Sequence, residues 1–492
     1  MSSARVEPLG KVRTKIVATL GPASRDPETL RALVRAGVDV FRLNFSHASH
    51  EEHTETLRRV RIAADECGRV VAVLQDLCGP KIRLGPIHDD AVDCHLDDVF
   101  TLVKTRTSDD PHQFTCTYRD LPDDLGPGDD VYFADGTVTM IVTQTEPGLV
   151  RMRVTLPGRV RSSQGINLPG AALNVQALTE KDLLDLDWTA HNPVEYVGLS
   201  FVRQASDVTR LRAELDRRGS TAKIVVKIEK PQAVDNLDAI IAETDAVMVA
   251  RGDLGVELDV ARVPAIQKRV ISACRQARVP VITATQMLNS MESSSRPTRA
   301  EASDVFNAVL DGTDAVMLSG ESAIGHYPVD SVSMMSRIVS EAEAMMLASP
   351  EACGFVARAQ AAGNSPARAG TVQPITEGIV EAVRLVTKRL KAKLVVVATR
   401  SGRTALALSK QRYGPPTLAL TDDPAVARTM ALYWGVTPLV CPVIADHEKT
   451  ADFVSDWARR NDLAAKGDYI IVVQGTMPHH PCHNAMIVLA VD

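Results

Sequence analysis

A chain of 492 residues is too long for one hydrophobic core, so its length predicts roughly two to four domains. The formal net charge is −6 and the pI is near 6.1, so the chain has no excess of basic side chains for binding phosphate backbones. This argues against a nucleic-acid-binding protein. Eight cysteines without CxxC pairing fit reduced thiols, and no apolar run reaches about 18 residues, so we expect a cytoplasmic protein without a membrane span.

Buried apolar runs that fit strands alternate with segments that fit helices along much of the chain. The predicted strands of this pattern are 15–20, 39–45, 70–76, 196–201, 222–228, 246–250, 279–285 and 314–318. Between the third and fourth of them, residues 85–168 contain short alternating strands and turn sequences such as Asp135-Gly136, which is typical of a small all-β module.

Eight parallel strands joined by helices predict an α/β (β/α)8 barrel, the TIM barrel, interrupted after its third strand by an inserted all-β cap domain. An open doubly wound sheet remains the alternative. Residues 349–372, rich in Ala, Gly, Ser and Pro, predict a linker to a C-terminal α/β domain. The predicted domain bounds are 1–84 and 170–345 for the barrel, 85–169 for the cap and 346–492 for the C-terminal domain.

Polar side chains stand where the predicted barrel strands end, which is where such barrels bind ligands. They are Arg42, Asn44, Ser46, Asp76, Lys227, Glu229, Asp253, Thr285 and Ser319. Any one of them could simply begin a loop, but six strand ends directed at one mouth favour a site. Glu229 and Asp253 follow neighbouring strands and could bind one divalent cation, with Lys227 beside them as a fixed positive charge.

Two glycine-containing turns could bind an anion. Residues 251–255 (RGDLG) follow a strand and precede a helical stretch, so their N–H groups could contact a carboxylate or phosphate, or simply form a tight turn. Residues 400–404 (RSGRT) could bind a phosphate or form an ordinary strand-to-helix turn. We interpret His47, His50 and His53 as part of a solvated first helical turn.

The chain resembles the pyruvate kinase family in a series of motifs that occur in order. They are IVATLGPAS (16–24), FRLNFSH (41–47), QDLCGPKIRLG (75–85), INLPGAALN (166–174), VKIEK (226–230), MVARGDLGVE (248–257), ITATQMLNSM (282–291), RPTRAE (296–301) and VMLSGESAIGHYP (316–328). The resemblance implies an interrupted barrel with a mobile cap and a C-terminal regulatory domain. It also implies a homotetrameric phosphotransferase that moves the phosphoryl group of phosphoenolpyruvate to ADP, giving pyruvate and ATP in the last step of glycolysis.

The resemblance assigns roles to the residues at the predicted mouth. Glu229 and Asp253 would hold Mg2+ or Mn2+, and Lys227 would lie against the transferring group and stabilise the enolate oxygen. The substrate carboxylate would bind the N–H groups near Gly252 and Asp253 and the hydroxyl of Thr285.

Further residues are implied to contact phosphates or the enolate. Arg42 and Arg83 would bind the phosphoryl group and the nucleotide phosphates, and Lys181 would reach the nucleotide, which would bring a second divalent ion. Ser319 belongs, with Thr285, to the neighbourhood usually invoked for enolate protonation. We expect activation by a phosphorylated metabolite bound at Arg400, Ser401, Gly402, Arg403 and Thr404.

One departure from the family concerns the monovalent cation. Relatives that require K+ build its site from the positions of Asn44, Ser46, Asp76 and Leu77, and they have a Glu where this chain has Lys81. Because a side-chain ammonium can substitute for a monovalent cation, we expect catalysis without a K+ requirement.

Two other functions remain open. A metal-dependent aldolase or lyase could form a pyruvate enolate on a similar barrel, but it would need no nucleotide clamp such as Arg83 and Lys181. A non-catalytic metabolite sensor could use the C-terminal domain alone, but it would have no reason to retain Lys227, Glu229 and Asp253.

Overall fold

The computed structural model describes residues 12–134, 136–169, 176–348, 372–441, 447–475 and 482–491. Apart from Val372, the predicted linker 349–372 lies outside these residues. Across the described part of the chain, no helix has both the length and the apolarity needed to cross a membrane.

The first part of the barrel contains three strands and two helices. They are β1 (Lys15–Thr19), α1 (Pro27–Ala36), β2 (Val40–Asn44), α2 (His50–Glu66) and β3 (Ala72–Asp76). Helix α1 begins where the Asp26 carboxylate accepts the N–H groups of Glu28 and Thr29, and it ends at Gly37, whose φ of +117° suits glycine. Local capping therefore fixes where the chain turns back towards the next strand.

The inserted cap follows β3 and is built mainly from antiparallel strands. Its elements are β4 (Ala91–Cys94), β5 (Val99–Val103), β6 (Gln113–Phe114), α3 (Leu121–Asp124), β7 (Asp130–Phe133), β8 (Val138–Glu146), β9 (Leu149–Leu156), β10 (Gly158–Arg161) and β11 (Ile166–Asn167). A single helical turn, His88–Asp90, precedes β4. A six-stranded sheet in the order β11-β7-β8-β9-β5-β6 and the pair β10-β4 enclose a separate core that includes Phe100, Phe114 and Phe133.

The second part of the barrel completes the ring. Its elements are α4 (Glu180–His191), β12 (Tyr196–Leu199), α5 (Ala205–Arg217), β13 (Lys223–Ile228), α6 (Pro231–Asp235), α7 (Leu237–Glu243), β14 (Ala246–Ala250), α8 (Arg251–Glu257), α9 (Val263–Gln276), β15 (Val281–Ala284), α10 (Arg299–Asp311), β16 (Ala315–Leu318), α11 (Gly320–Ala323) and α12 (Pro328–Ala348). Single helical turns lie at Val260–Arg262 and Asn289–Glu292. The strand order β1-β16-β15-β14-β13-β12-β3-β2 is closed, which confirms the predicted barrel and excludes the open sheet.

The C-terminal domain is a five-stranded sheet flanked by helices. Its elements are α13 (Pro374–Leu390), β17 (Leu394–Ala398), α14 (Arg403–Lys410), β18 (Thr417–Thr421), α15 (Pro424–Met430), β19 (Val436–Val440), α16 (His447–Arg460), β20 (Tyr469–Gln474) and β21 (Ala485–Ala490). The order is β19-β18-β17-β20-β21, and only the pairing of β20 with β21 is antiparallel. The α/β class is confirmed here too, whereas the domain bounds remain predictions.

This domain packs against the amino-terminal ends of the barrel strands. Asp314, directly before β16, lies 2.5 Å from Lys410 Nζ and 2.7 Å from Arg412 Nη2. The Tyr196 hydroxyl, at the start of β12, donates to the carbonyl of Thr429 at 2.6 Å. The C-terminal domain therefore lies at the end of the barrel opposite the one where such barrels bind ligands.

Candidate active site

Lys227 is the buried cation of the barrel mouth. It lies near the end of β13, with 12% of its side chain exposed, and its Nζ is 2.9 Å from Glu229 Oε1 and 3.5 Å from Asp76 Oδ2. The same Nζ donates to Ser200 Oγ at 2.8 Å. Burial acts to lower the pKa of Lys227, but Asp76 and Glu229 outweigh it and the pKa is raised. The mouth therefore contains a protonated ammonium held in one position.

Asp76, at the end of β3, joins Lys227 to Arg42 on β2. Arg42 donates to Asp76 Oδ2 from Nε at 2.8 Å and from Nη2 at 2.5 Å, and its Nη1 donates to Thr19 Oγ1 at 3.1 Å. Burial acts to raise the pKa of Asp76, yet Lys227 and Arg42 bring it below its ordinary value. Asp76 is thus an ionised carboxylate that orients two cations.

Glu229 is a buried carboxylate whose two oxygens have different neighbours. Its side chain is 1% exposed, and Oε2 accepts the backbone N–H of Phe201 at 2.7 Å. Its other oxygen, Oε1, lies 2.9 Å from the Lys227 ammonium. Burial raises the pKa of Glu229, Lys227 opposes that rise, and the charge of Asp253 adds to it. Two carboxylates that disfavour each other's charge suit a divalent cation.

Asp253 lies in the first turn of α8, as one of the residues of the predicted glycine-containing turn. Its Oδ1 is 3.9 Å from Lys81 Nζ, and both side chains are about a quarter exposed.

Burial lowers the pKa of His47, and the charges of Arg83, Arg42 and Lys81 lower it further. Three cations therefore act on the space beside His47, which favours an anionic ligand there.

Thr285 and Gly252 meet across the mouth. The N–H of Gly252 donates to Thr285 Oγ1 at 2.7 Å, and a Cβ at position 252 would lie 3.4 Å from that oxygen. Thr285, directly after β15, has a φ of +66°, which is unusual for a β-branched residue. Ser319 follows β16, and its Oγ is buried without a hydrogen-bond partner in the described residues. Thr285 Oγ1 itself donates to the carbonyl of Ala284 at 2.7 Å, and the two hydroxyls follow neighbouring strands, β15 and β16.

The predicted nucleotide residues lie at the rim. Lys181, in the first turn of α4, donates to the carbonyl of Phe45 and to Asp185 Oδ2, each at 2.7 Å. Arg83 lies at the base of the cap, where it pairs with Gly165 and donates from Nη1 to the carbonyl of Ser163 at 3.1 Å. Lys181 therefore lies on the barrel and Arg83 on the cap.

Four of the residues predicted for a monovalent-cation site lie at or just after the ends of β2 and β3: Asn44, Ser46, Asp76 and Leu77. Lys81, the predicted substitute for the cation, lies 3.9 Å from Asp253. Asn44 and Asp76 are paired in register on β2 and β3. Asn44 Oδ1 accepts the N–H of Ser46 at 3.1 Å, and the buried Leu77 accepts the hydroxyl of Ser200 at its carbonyl at 2.8 Å.

The predicted effector loop lies in the C-terminal domain, between β17 and α14. Gly402 has a φ of +73°, and its N–H donates to Thr399 Oγ1 at 3.1 Å. Thr404 Oγ1 lies 3.0 Å from His483 Nδ1. The side chains of Arg400, Ser401 and Arg403 are exposed, so the loop is accessible to a ligand.

The sequence did not reveal several residues that build the mouth. Ser200 and Thr19 orient the two cations, and Asp185 holds both Lys181 and the Nε2 of His50, the latter at 2.7 Å. Their only sequence signal is a position at a strand end or at i+4 from a lysine on a helix.

Two carboxylates, Glu229 and Asp253, are the candidate ligands for a divalent ion at this mouth. The described part of the chain contains no group of three or more His, Cys, Asp or Glu residues that could hold a metal ion. The mouth offers the two carboxylates of Glu229 and Asp253, which interact electrostatically. This donor set fits Mg2+, which keeps several waters and takes further oxygens from a substrate.

The closed barrel, its cap and a mouth that combines buried cations with two carboxylates define a barrel enzyme that stabilises negative charge. Residues 11–332 match the family model for the pyruvate kinase barrel domain, and 377–489 match the one for the pyruvate kinase alpha/beta domain. Pyruvate kinases of Agrobacterium vitis and Mycobacterium tuberculosis are each 41% identical to this chain, over 94% and 95% of its length and 95% of their own.

A solved structure agrees with these matches. The chain superposes on a pyruvate kinase from Cryptosporidium parvum with a TM-score of 0.90 and 33% identity, covering 98% of this chain and 97% of the other. The chain belongs to the pyruvate kinase family and is a phosphotransferase.

Proposed function

We propose that the chain transfers the phosphoryl group of phosphoenolpyruvate to ADP, giving pyruvate and ATP. A β-phosphate oxygen of ADP attacks phosphorus, the bond from phosphorus to the enol oxygen breaks, and the enolate then takes a proton at carbon. The proposal depends on one observation, the Lys227 ammonium fixed among Asp76, Glu229 and Ser200. Because negative charge moves during both steps, a positive charge that needs no reorganisation lowers the barrier.

Glu229 and Asp253 would hold the divalent cation, Mg2+ or Mn2+. Support comes from the interaction between the two carboxylates, since the charge of Asp253 raises the pKa of Glu229. When bound, such an ion supplies Lewis-acid stabilisation of phosphoryl and enolate oxygens. Lys227 lies on the side of the mouth towards Asp76, and it would supply a second positive charge in addition to that of the ion.

Other residues bind and orient the substrates. The carboxylate of phosphoenolpyruvate would bind the hydroxyl of Thr285 and the N–H groups of Gly252 and Asp253, and it would take the Gly252 N–H from Thr285 Oγ1, which accepts it in this structure. Arg42 would contact the phosphoryl group, since Asp76 and Thr19 already hold its guanidinium in the mouth.

Two rim residues, Arg83 and Lys181, would bind the phosphates of ADP between the barrel and the cap, with a second divalent ion. Ser319 or Thr285, or water beside them, would deliver the proton to the enolate. The buried, unpartnered hydroxyl of Ser319 supports this part of the proposal.

The test is pyruvate formation measured by coupling to lactate dehydrogenase. We expect turnover that requires phosphoenolpyruvate, ADP and Mg2+ together, because each supplies charges or atoms that the reaction needs. An activity indifferent to ADP would instead indicate the lyase. No turnover under any of these conditions would contradict an enzyme of this type.

The same enzyme would work without K+. In this proposal the Lys81 ammonium replaces the monovalent cation of K+-dependent relatives. Support comes from its position 3.9 Å from Asp253 and from its charge, which lowers the pKa of His47. The measurement is the rate in K+ and in Na+ or tetramethylammonium buffer. Equal rates are expected, and a rate that collapses without K+ would contradict the proposal.

A phosphorylated metabolite would activate the enzyme from the loop 400–404, and the protein would be a homotetramer. The left-handed Gly402 and the exposed Arg400 and Arg403 support an anion site there. A panel of sugar phosphates and nucleotides should include one that lowers the phosphoenolpyruvate concentration giving half-maximal rate. No response to any of them would exclude the effector site, and sedimentation would test the tetramer.

A further inference from the structure

The turn that carries Thr285 has an unusual backbone. Thr285 has a φ of +66° and the next residue, Gln286, a φ of +53°. Left-handed conformations are disfavoured for residues with a Cβ, and most strongly for β-branched ones such as threonine. Two of them in succession, directly after β15, persist only where surrounding contacts stabilise them.

Arg251, the first residue of α8, supplies those contacts. Its Nε donates to the carbonyl of Ala284 at 3.2 Å, and its Nη2 donates to the carbonyls of Thr285 at 2.7 Å and Gln286 at 3.3 Å. One guanidinium therefore binds three consecutive carbonyls of the turn. Its planar set of donors can do this, whereas the compact ammonium of a lysine cannot.

The guanidinium of Arg251 is itself held from behind. Its side chain is 10% exposed, and Nη1 lies 2.7 Å from Asp304 Oδ2 on α10 and 3.4 Å from Gln267 Oε1 on α9. The residue after Arg251 is Gly252, whose N–H donates to Thr285 Oγ1 at 2.7 Å. The start of α8 and the end of β15 are thus locked reciprocally, each through the other's side chain.

We propose that Arg251 is a positioning residue for the substrate carboxylate. Its guanidinium holds the turn so that Thr285 Oγ1 stays beside the N–H of Gly252, where the ligand would bind. This inference rests on the proposed function, which puts the carboxylate of phosphoenolpyruvate at that place. Arg251 acts through Thr285, since its own donors are directed to carbonyls and to Asp304 and not into the mouth.

The test is steady-state kinetics of Arg251→Lys, measured separately for the two substrates. We expect the KM for phosphoenolpyruvate to rise roughly 10- to 100-fold, the usual effect of losing charge-assisted hydrogen bonds. The KM for ADP should change less than about twofold, because Arg83 and Lys181 would bind that substrate. Equal rises in both KM values, or no rise in either, would overturn the proposal.

Arg218→Lys is the matched control. Arg218 is equally enclosed, with 7% of its side chain exposed, and it pairs with Asp187 and donates to the carbonyl of Leu183, but these contacts join α5 to α4. If loss of a buried, ion-paired arginine were sufficient, both variants would behave alike. We expect Arg218→Lys to leave both KM values unchanged.

A double-mutant cycle separates positioning from general stabilisation. If Arg251 acts through the turn, Arg251→Lys should cost much less in a Thr285→Ala background than in the wild type. Additive effects would overturn the inference. Should Arg251→Lys fail to fold, Asp304→Asn, which keeps the arginine but releases it from behind, decides with the same readout. Wild-type activity tests the proposed function separately, so the two failures are distinguishable.

Discussion

Replacing Lys227 by methionine is the most informative single change. It removes one charge from a site where 12% of the lysine side chain is exposed, and it preserves much of the side-chain volume. Loss of one preorganised donor to developing charge costs about 10²- to 10³-fold in kcat. Because Lys227 carries a full charge against both the phosphoryl group and the enolate in our proposal, we expect a loss of roughly 10³-fold or more.

The same change has a cost in stability that can be estimated from the contacts. Removing one partner of a buried ion pair destabilises a protein by about 3–5 kcal/mol. Asp76 keeps Arg42 as a partner, so Glu229 bears most of the loss, and we expect the free energy of unfolding to fall by about 3 kcal/mol.

The stability loss of Lys227→Met should also depend on pH. Burial already raises the pKa of Glu229, and removing Lys227 leaves that rise unopposed by its nearest cation. A carboxyl group with a raised folded-state pKa stabilises the fold below its unfolded pKa and loses that contribution as the pH rises through the folded value. The destabilisation of the variant, measured by urea unfolding, should therefore be smaller at low pH than at neutral pH.

Lys223→Met is the matched control, because Lys223 is an exposed lysine at the opposite end of the same strand. It should retain wild-type turnover in the coupled assay and lose little stability. Wild-type turnover by Lys227→Met would refute the role of its ammonium. Complete loss of Mn2+ binding would also count against it, since the proposed ligands Glu229 and Asp253 both remain.

Three further predictions follow from particular contacts. Lys81→Glu should make the rate depend on K+. Equal rates of this variant with and without K+ would argue against the proposal that the Lys81 ammonium replaces the K+ ion. Asp185→Asn should raise the KM for ADP several-fold and leave that for phosphoenolpyruvate unchanged, because Asp185 holds Lys181 at 2.7 Å. Asp314→Asn leaves the charges of Lys410 and Arg412 uncompensated at the domain interface, so calorimetry should show that the free energy of unfolding falls by about 3–5 kcal/mol. An unchanged melting temperature would refute this prediction.

The barrel could be predicted from the sequence because its signal is repetitive. Eight buried runs recur with helices between them, and parallel strands buried on both faces give continuous apolar stretches. Closure then brings residues such as Asp76 and Lys227, far apart in the chain, to one mouth. The connection between β13 and β14 is divided into two helices, since Asn236 separates α6 from α7.

The contacts that complete the site depend on tertiary geometry that no local pattern encodes. The roles of Ser200 and Asp185 follow from their hydrogen bonds to Lys227 and Lys181, which only the three-dimensional structure shows. The interpretation of the histidines as solvated is wrong for His53, which is 6% exposed and stacks on Phe45 with ring centroids 4.1 Å apart. Three residues after the start of α2, it lies on the face that packs inward.

The binding of Mn2+, followed by electron paramagnetic resonance, tests the central claim most directly. Without nucleotide, we expect the wild-type protein to bind one Mn2+ tightly, and Glu229→Gln and Asp253→Asn each to weaken that site by at least about tenfold, since each removes one carboxylate ligand. Mn2+ affinity unchanged in both variants would contradict the account of the barrel mouth.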